Sequence, residues 1–181
     1  MLRPFYLLCY KIFGWKINGS LPAEKKYICA LAPHTSNWDF VVGVAARSIL
    51  RITRAKYLGK SQLFRAPYGW FFRWIGGIPV ERDQQKHDMV EQVAMIARGS
   101  GEFILAIAPE GTRKKVNKLK TGFWYIAHAA NIPIVPVGFD FRKREVVIGQ
   151  PLYATDIDKD MTTLTEFYKG ITGKNPELGI D

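Results

Sequence analysis

A histidine and an aspartate lie five residues apart in the polar segment Pro33-His34-Thr35-Ser36-Asn37-Trp38-Asp39. In a regular helix their side chains would point about 140° apart, because each residue turns the helix by about 100°. They can meet if His34 lies in a loop and Asp39 in the first turn of the next helix. The carboxylate would then hold one imidazole nitrogen while the other takes a proton, as a general base does. The alternative is that the two residues only cap the start of the helix and have no catalytic role.

Ser36 lies between these two residues and raises the alternative of a nucleophilic serine. It is not part of a G-x-S-x-G motif, and serine at the start of a helix is typical of a capping residue. We therefore expect Ser36 or its neighbour Asn37 to cap the helix.

A second polar segment, Pro109-Glu110-Gly111-Thr112-Arg113, follows the apolar run Phe103–Ile107. Gly111 permits a left-handed backbone, and Thr112 and Arg113 supply donors that suit a phosphate or carboxylate. We expect anion binding by Arg113 and a solvated basic loop for most of the lysines that follow it.

Arg82 ends a third segment, Gly76-Gly77-Ile78-Pro79-Val80-Glu81-Arg82, and would add a second contact to a phosphate. For a single arginine behind a short strand, a surface position is the alternative. All three segments follow or flank β-rich runs, and ligands of α/β sheets gather at the carboxyl ends of the strands.

Six short β-rich runs alternate with stretches of helical periodicity. This predicts an α/β fold, with residues 1–181 in a single domain and a mixed, largely parallel sheet flanked by helices. The predicted strands are Tyr27–Leu31, Lys56–Leu58, Ile78–Val80, Phe103–Ile107, Ile134–Phe139 and Val146–Ile148. The predicted helices are Trp38–Leu50, Asp88–Arg98, Thr121–Ala130 and Met161–Lys169.

The first 20 residues contain a predicted amphipathic helix after Pro4. Its apolar stripe consists of Phe5, Leu8, Cys9, Ile12 and Phe13. One interpretation is a helix packed on the core, and the other is a helix lying in a membrane interface with basic side chains at anionic headgroups. No uninterrupted apolar run reaches the ~18–20 residues of a spanning helix.

Aromatic and basic side chains interleave in a second stretch, which suits the core, a membrane contact or a base-stacking surface. Its members are Phe64, Tyr68, Trp70, Phe71, Phe72 and Trp74, with Arg65 and Arg73 between them.

The chain of 181 residues carries 26 Lys and Arg against 16 Asp and Glu, a net charge of +10. Such an excess indicates an anionic partner, whether nucleic acid, a membrane or a phosphorylated small molecule. Hydrophobic residues make up 48% of the chain, which excludes a disordered or fibrous protein. The two cysteines, Cys9 and Cys29, lack the spacing of a zinc site or disulfide framework, so a reducing, cytoplasmic environment is expected.

Taken together and in this order, the three polar segments resemble the glycerolipid (lysophosphatidic acid-type) acyltransferase family. The segment His34–Asp39 is similar to its H-x-x-x-x-D block, and Pro109–Arg113 matches its P-E-G-T-R block. The segment Ile78–Arg82 resembles its arginine block, and Ile132–Val137 resembles its last, proline-containing block. The resemblance covers about residues 30–140, and departures such as Thr35 and Ala108 leave the acceptor open.

The resemblance implies acyl transfer from acyl-CoA or acyl-carrier protein to a lysophospholipid hydroxyl, with 1-acylglycerol-3-phosphate as the first candidate. His34 would be the general base and Asp39 its partner. The acceptor's phosphate would lie against Arg82, Glu110, Gly111, Thr112 and Arg113. No cofactor or metal is expected, and the chain would act peripherally on the cytoplasmic side of an anionic membrane, without a nucleic-acid partner. A non-catalytic basic membrane-binding protein and a thioesterase with the same dyad are the alternatives.

Overall fold

The computed structural model describes residues 2–80 and 86–180. The strands are β1 (Lys16–Asn18), β2 (Lys26–Leu31), β3 (Lys56–Lys60), β4 (Gly77–Val80), β5 (Phe103–Ile107), β6 (Ile134–Asp140) and β7 (Glu145–Ile148). The helices are α1 (Arg3–Ile12), α2 (Trp38–Ile49), α3 (Gly69–Trp74), α4 (Lys86–Gly99), α5 (Gly122–Ala130) and α6 (Ile157–Lys169). Short 3-10 helices lie at Ser61–Phe64 and Pro176–Leu178.

The seven strands form one sheet in the order β1-β7-β6-β2-β5-β3-β4. The five strands from β6 to β4 in this order are mutually parallel, whereas β7 pairs antiparallel with β6 and β1 pairs parallel with β7. Strand β6 is buried along its whole length, as its continuous apolar run predicts. The predicted mixed, largely parallel sheet flanked by helices is therefore confirmed.

The helices divide between the two faces of the sheet. The connections through α2 and α3 cross the sheet in one direction, and those through α4 and α5 cross it in the other. Because parallel crossovers are right-handed, α2 and α3 cover one face, and α4 and α5 cover the other. Helix α1 packs on α2, and α6 buries Leu164 and Tyr168 in the same apolar cluster as residues of α4 and α5.

All six predicted strands and all four predicted helices are present, with ends shifted by a few residues. Strand β1 and helix α3 are additional. Each is too short, at three and six residues, to carry a periodic apolar pattern.

The predicted amphipathic helix at the N-terminus corresponds to α1. Its inward side carries Tyr10, which is buried and donates a hydrogen bond from its hydroxyl to the carbonyl of Val42 at 2.9 Å. The apolar stripe points outward, and Phe5, Leu8 and Ile12 are all exposed. The core-packing alternative is thus wrong for this stripe.

Candidate active site

The first and second polar segments lie side by side because their strands are neighbours. In the parallel pair of β2 and β5, Ala30 is in register with Ile107. Both strands end at the same edge of the sheet, so the loops that follow them meet there. His34 and Glu110 are the residues at which the two loops come into contact.

The structure brings His34 and Asp39 together in the predicted arrangement. His34 lies in the loop after β2, and its Nδ1 is 3.0 Å from Oδ2 of Asp39 in the first turn of α2. The same carboxylate oxygen accepts a hydrogen bond from the main-chain N–H of Ser36 at 2.8 Å. The hydroxyl of Ser36 in turn accepts one from the N–H of Trp38 at 3.2 Å. Ser36 and Asp39 thus cap α2 reciprocally, and the cap holds the carboxylate toward the imidazole.

Burial differs between the two members of this pair. The side chain of Asp39 is 1% exposed, while that of His34 is 26% exposed and therefore reachable. Oδ1 of Asp39 is buried and has no hydrogen-bond partner among the described residues. A carboxylate in this position, beside an accessible imidazole, is placed to stabilise the imidazolium that a general base forms. If Nδ1–H of His34 donates to Asp39, Nε2 is left to accept a proton.

Glu110, which the sequence predicts to contact the head group, is buried in the structure. The residue is 2% exposed, and its Oε2 accepts a hydrogen bond from the main-chain N–H of His34 at 2.6 Å. Burial raises the pKa of Glu110 to about 7, against the opposing effect of that hydrogen bond. A buried carboxylate that already binds the chain is a poor ligand for a phosphate. The observed bond suits a role in positioning the His34 loop.

The remaining residues of this segment form a turn at the surface. Gly111 has a φ of 65°, in the left-handed region that favours glycine. Oγ1 of Thr112 accepts a hydrogen bond from the N–H of Lys114 at 3.2 Å, so the hydroxyl stabilises the turn. Arg113 is exposed, with its guanidinium available to an anion from solution. Arg82, the other predicted phosphate contact, lies outside the described residues.

Lys120 returns to the same turn. Its N–H donates to the carbonyl of Pro109 at 2.8 Å, and its side chain lies across Gly111. A Cβ on that glycine would be 2.5 Å from the ammonium nitrogen of Lys120. The sequence predicts a solvated basic loop for most of the lysines after Arg113. Only the fold brings this ammonium group beside the glycine.

Thr35 is a second residue whose role the sequence does not indicate. It is buried, and Gly173 packs so closely on it that a Cβ there would lie 2.8 Å from its hydroxyl. The N–H of Asn175 donates to Oγ1 of Thr35 at 3.1 Å, and the Asn175 side-chain amide donates to its carbonyl at 2.9 Å. The segment after α6 therefore holds the His34 loop from the side opposite Glu110.

An apolar cavity of about 230 Å³ opens beside the dyad. It lies between α2 and the sheet, with His34, Asp39 and Phe40 at one end and Arg47, Leu50, Ile52 and Ala55 at the other. Because α2 rises about 1.5 Å per residue, the stretch from Asp39 to Leu50 spans ~16 Å. The cavity is lined mostly by aliphatic and aromatic side chains, which suits a hydrocarbon chain.

Arg47 lines this cavity at the end of α2 away from the dyad. Nη1 of Arg47 donates to the carbonyl of Ile75 at 2.6 Å, and Nε donates to that of Ile52 at 3.4 Å. Nη2 donates to the carbonyl of Thr53. Burial lowers the pKa of this guanidinium. With its donors directed at main-chain carbonyls, Arg47 ties α2 to the segment that follows it and to the end of α3.

Within residues 2–80 and 86–180, no three His, Cys, Asp or Glu side chains are grouped so that they could hold a metal ion. The same residues include no helix with the length and apolar character needed to cross a bilayer.

The family model described as Acyltransferase matches residues 16–140 of the chain. This chain belongs to the acyltransferase family. The match includes β1 to β6 and therefore both loops that form the site.

Curated relatives carry names of the same family. The 1-acyl-sn-glycerol-3-phosphate acyltransferase of Haemophilus influenzae is 31% identical over 139 residues, which are 71% of this chain and 55% of the relative. The epsilon form of that acyltransferase from Mus musculus is 34% identical over 102 residues, 54% of this chain and 28% of the relative. The chain spans about half the length of the bacterial relatives it matches.

A solved structure supports the fold. The crystal structure of the 1-acyl-sn-glycerophosphate acyltransferase from Thermotoga maritima superimposes with a TM-score of 0.61 at 18% identity. The superposition covers 94% of this chain and 77% of the other.

Proposed function

We propose that this acyltransferase-family chain transfers a fatty acyl group from a thioester of coenzyme A or acyl-carrier protein to a hydroxyl of a lysophospholipid. The observation that carries the proposal is the His34–Asp39 pair, 3.0 Å apart, in the lining of an apolar cavity. The first candidate acceptor is 1-acylglycerol-3-phosphate, since relatives from two bacteria are named for that substrate.

In the proposed reaction, Nε2 of His34 removes the proton from the acceptor hydroxyl as its oxygen attacks the thioester carbonyl carbon. Asp39, holding Nδ1, stabilises the imidazolium that forms. The tetrahedral intermediate collapses by breaking the C–S bond, and the imidazolium returns its proton to the departing thiolate. The products are the new ester and the free thiol. No covalent bond to the enzyme is needed, in contrast to a serine triad.

The acyl chain of the donor would occupy the cavity beneath α2. Its walls are apolar, so burial of hydrocarbon there is favourable. The reaction requires the thioester as co-substrate and no further cofactor.

The acceptor's phosphate would lie against the turn after β5. Arg113 is exposed there, and Lys120 adds a second cation. Gly111 has no side chain, which leaves room for that of Lys120. A planar guanidinium and an ammonium group recognise phosphate through charge-assisted hydrogen bonds. We retain Thr112 and Arg82 as proposed contacts to the same phosphate.

The enzyme would act peripherally at the cytoplasmic side of an anionic membrane, where its lipid substrates are held. The outward stripe on α1 supports this location, because Phe5, Leu8 and Ile12 are exposed beside the basic side chain of Lys11.

An acceptor screen tests the proposal. Labelled acyl-CoA and acyl-carrier protein are incubated with several lysophospholipids in detergent, and the products are separated from free fatty acid. The parent chain should form the diacyl product, and His34→Ala should lose it. His128→Ala is the matched control, because this histidine stacks on Trp124 on the opposite face of the sheet. Undiminished transfer by His34→Ala would overturn the mechanism, and fatty-acid release without an acceptor would identify a thioesterase instead.

A further inference from the structure

Helix α3 and the turn before it expose a group of large apolar side chains, here called the α3 patch. Its members are Leu63, Tyr68, Trp70, Phe71 and Trp74. We propose that the α3 patch is a second membrane-docking surface, which together with α1 seats the enzyme on an anionic phospholipid bilayer. The inference rests on the membrane location proposed above and assigns a surface to it.

The exposure of this patch is large. Trp70 is 70% exposed and Trp74 is 73% exposed. Of the eighteen large apolar side chains that are exposed among the described residues, fourteen belong to α1, α2, α3 or the residues that flank these helices. Only four lie elsewhere, among them Met95 and Tyr125. Contiguous exposed apolar surface of this kind marks an interaction site.

The patch is presented by a well-packed support. Phe64 is buried beneath it, and three glycines surround its ring or carbonyl so closely that a Cβ on any of them would collide. The guanidinium of Arg73 lies 5.5 Å from the centre of the Phe64 ring and donates to the Phe64 carbonyl at 2.9 Å. The outward direction of the two tryptophans is therefore built into the fold.

The charge of the chain identifies an anionic partner. Residues 1–80 contain twelve basic and two acidic side chains, which accounts for the entire net charge of +10. One of those two acids, Asp39, is buried in the site. Arg65, within the sequence of the patch, and Lys11, on α1, are exposed. Anionic headgroups would meet these cations while the rings enter the interface.

The remaining exposed side chains favour lipid over nucleic acid. A base-stacking surface uses aromatic rings, whereas the α1 part of this face is also aliphatic, with Leu8 55% and Ile12 67% exposed. Hydrocarbon tails accept aliphatic and aromatic groups alike.

The position of α2 connects the two surfaces to the active site. Helix α1 contacts α2 through Tyr10 and Val42, and the end of α3 contacts it through Ile75 and Arg47. On α2 itself, Trp38 and Val41 are exposed in the first turn, beside Asp39. A bilayer that also covered the first turn of α2 would lie next to His34, where the proposed lipid substrate enters.

Vesicle flotation tests this inference without any turnover. The parent chain and the double variant Trp70→Ala/Trp74→Ala are compared on vesicles of equimolar phosphatidylglycerol and phosphatidylcholine. We expect binding to fall by about 70-fold for each ring removed, since each buries roughly 100 Å² of apolar surface at about 25 cal/mol per Å². The double variant Met95→Ala/Tyr125→Ala, from the opposite face, should bind as the parent does.

A charge variant keeps the test decisive if the tryptophan variant does not fold. Arg65→Glu leaves every ring in place and should weaken binding to the anionic vesicles, whereas Lys159→Glu on α6 should not. Parent-like binding by both patch variants would overturn the inference. A parent dimer in sedimentation that the patch variants dissociate would assign the surface to a second copy and overturn it as well. Because flotation needs no catalysis, its result is independent of whether acyl transfer is found.

Discussion

The carboxylate of Glu110 accepts a hydrogen bond from the main-chain N–H of His34 at 2.6 Å, across 76 residues of sequence. This bond ties the loop after β2 to the loop after β5, the two strands that are neighbours at the centre of the sheet. Glu110 is buried and has no access to solvent for ligand binding. Its position makes it a positioning residue that fixes where the imidazole of His34 lies.

Removal of the Glu110 carboxylate, which accepts this hydrogen bond, should impair the proposed reaction. In Glu110→Ala the buried N–H of His34 loses its partner, so the loop relaxes and kcat should fall by about 100-fold, the cost of a small misplacement of a catalytic group. Glu110→Gln keeps a carbonyl oxygen that accepts the same hydrogen bond and should retain much more activity. The measurement is steady-state kinetics with both substrates varied.

The changes in kcat and KM distinguish a positioning role of Glu110 from direct binding of the head group. A positioning role predicts a loss in kcat with little change in the KM of the lysolipid. A selective rise in that KM for Glu110→Gln would instead support the direct contact with the head group that the sequence predicted.

The buried Glu110 should also make stability depend on pH. Burial raises its pKa from the ordinary 4.5 to about 7, so the folded state binds its proton more tightly than the unfolded state does. This contribution to the free energy of unfolding is fully present below pH 4.5 and is lost as pH rises through about 7. Its size is about 3 kcal/mol. Denaturant titrations between these limits should show that Glu110→Gln flattens this decline. Equal slopes of the free energy of unfolding against pH in parent and variant would contradict the prediction. Both proteins keep Asp39 and His34 beside position 110, so the comparison isolates the Glu110 carboxyl group.

Much of the fold follows from patterns of a few residues. Apolar runs such as Phe103–Ile107 and Ile134–Phe139 mark the central strands because strands buried on both faces need an apolar residue at nearly every position. The contact between His34 and Asp39 also follows from local sequence, since Ser36 and Asp39 have the spacing of a helix cap.

Contacts between distant segments could not be predicted in this way. Nothing near Glu110 in the sequence distinguishes a ligand-facing carboxylate from a buried one, because the burial is supplied by strand neighbours. The bond from Asn175 to Thr35 spans 140 residues and depends on where the chain returns after α6. The outward direction of the apolar stripe on α1 could not be predicted either, since an amphipathic stripe has the same spacing whether it meets a core or a membrane.

The cavity beneath α2 should limit the length of the acyl chain. Ala46 lines it on α2, about two turns beyond Asp39, and Ala46→Leu would place extra carbon atoms in the space that a long chain needs. We expect turnover of long-chain thioesters to fall while that of short-chain thioesters is retained, measured as the ratio of kcat/KM values. Ala45→Leu is the control, because Ala45 is buried on the same helix but does not line the cavity. An unchanged ratio in Ala46→Leu would show that the acyl chain binds elsewhere.

The segment after α6 should support catalysis without touching the substrates. Asn175→Ala removes the 2.9 Å bond to the carbonyl of Thr35 but leaves the main-chain bond to its hydroxyl. We expect a loss of about 1 kcal/mol of stability, seen as a melting temperature lowered by roughly 2–4 °C, together with a reduced kcat. Thr35→Val removes the other bond, and a double-mutant cycle should show coupling between the two sites. Additive effects would show that the two bonds do not stabilise the His34 loop together.

Arg113 should contribute to recognition of the acceptor's phosphate. It is exposed on the turn after β5, close to Gly111 and Lys120, and its side chain is free to form a charge-assisted pair with an anion. Arg113→Ala should raise the KM of the lysophospholipid by about tenfold, the loss of one such interaction, and leave the KM of the thioester nearly unchanged. Lys114→Ala is the matched control, because it removes a cation from the next exposed position while the Thr112 bond to the Lys114 main chain remains. Equal increases in both KM values would mean that Arg113 serves the phosphates of the donor rather than those of the acceptor.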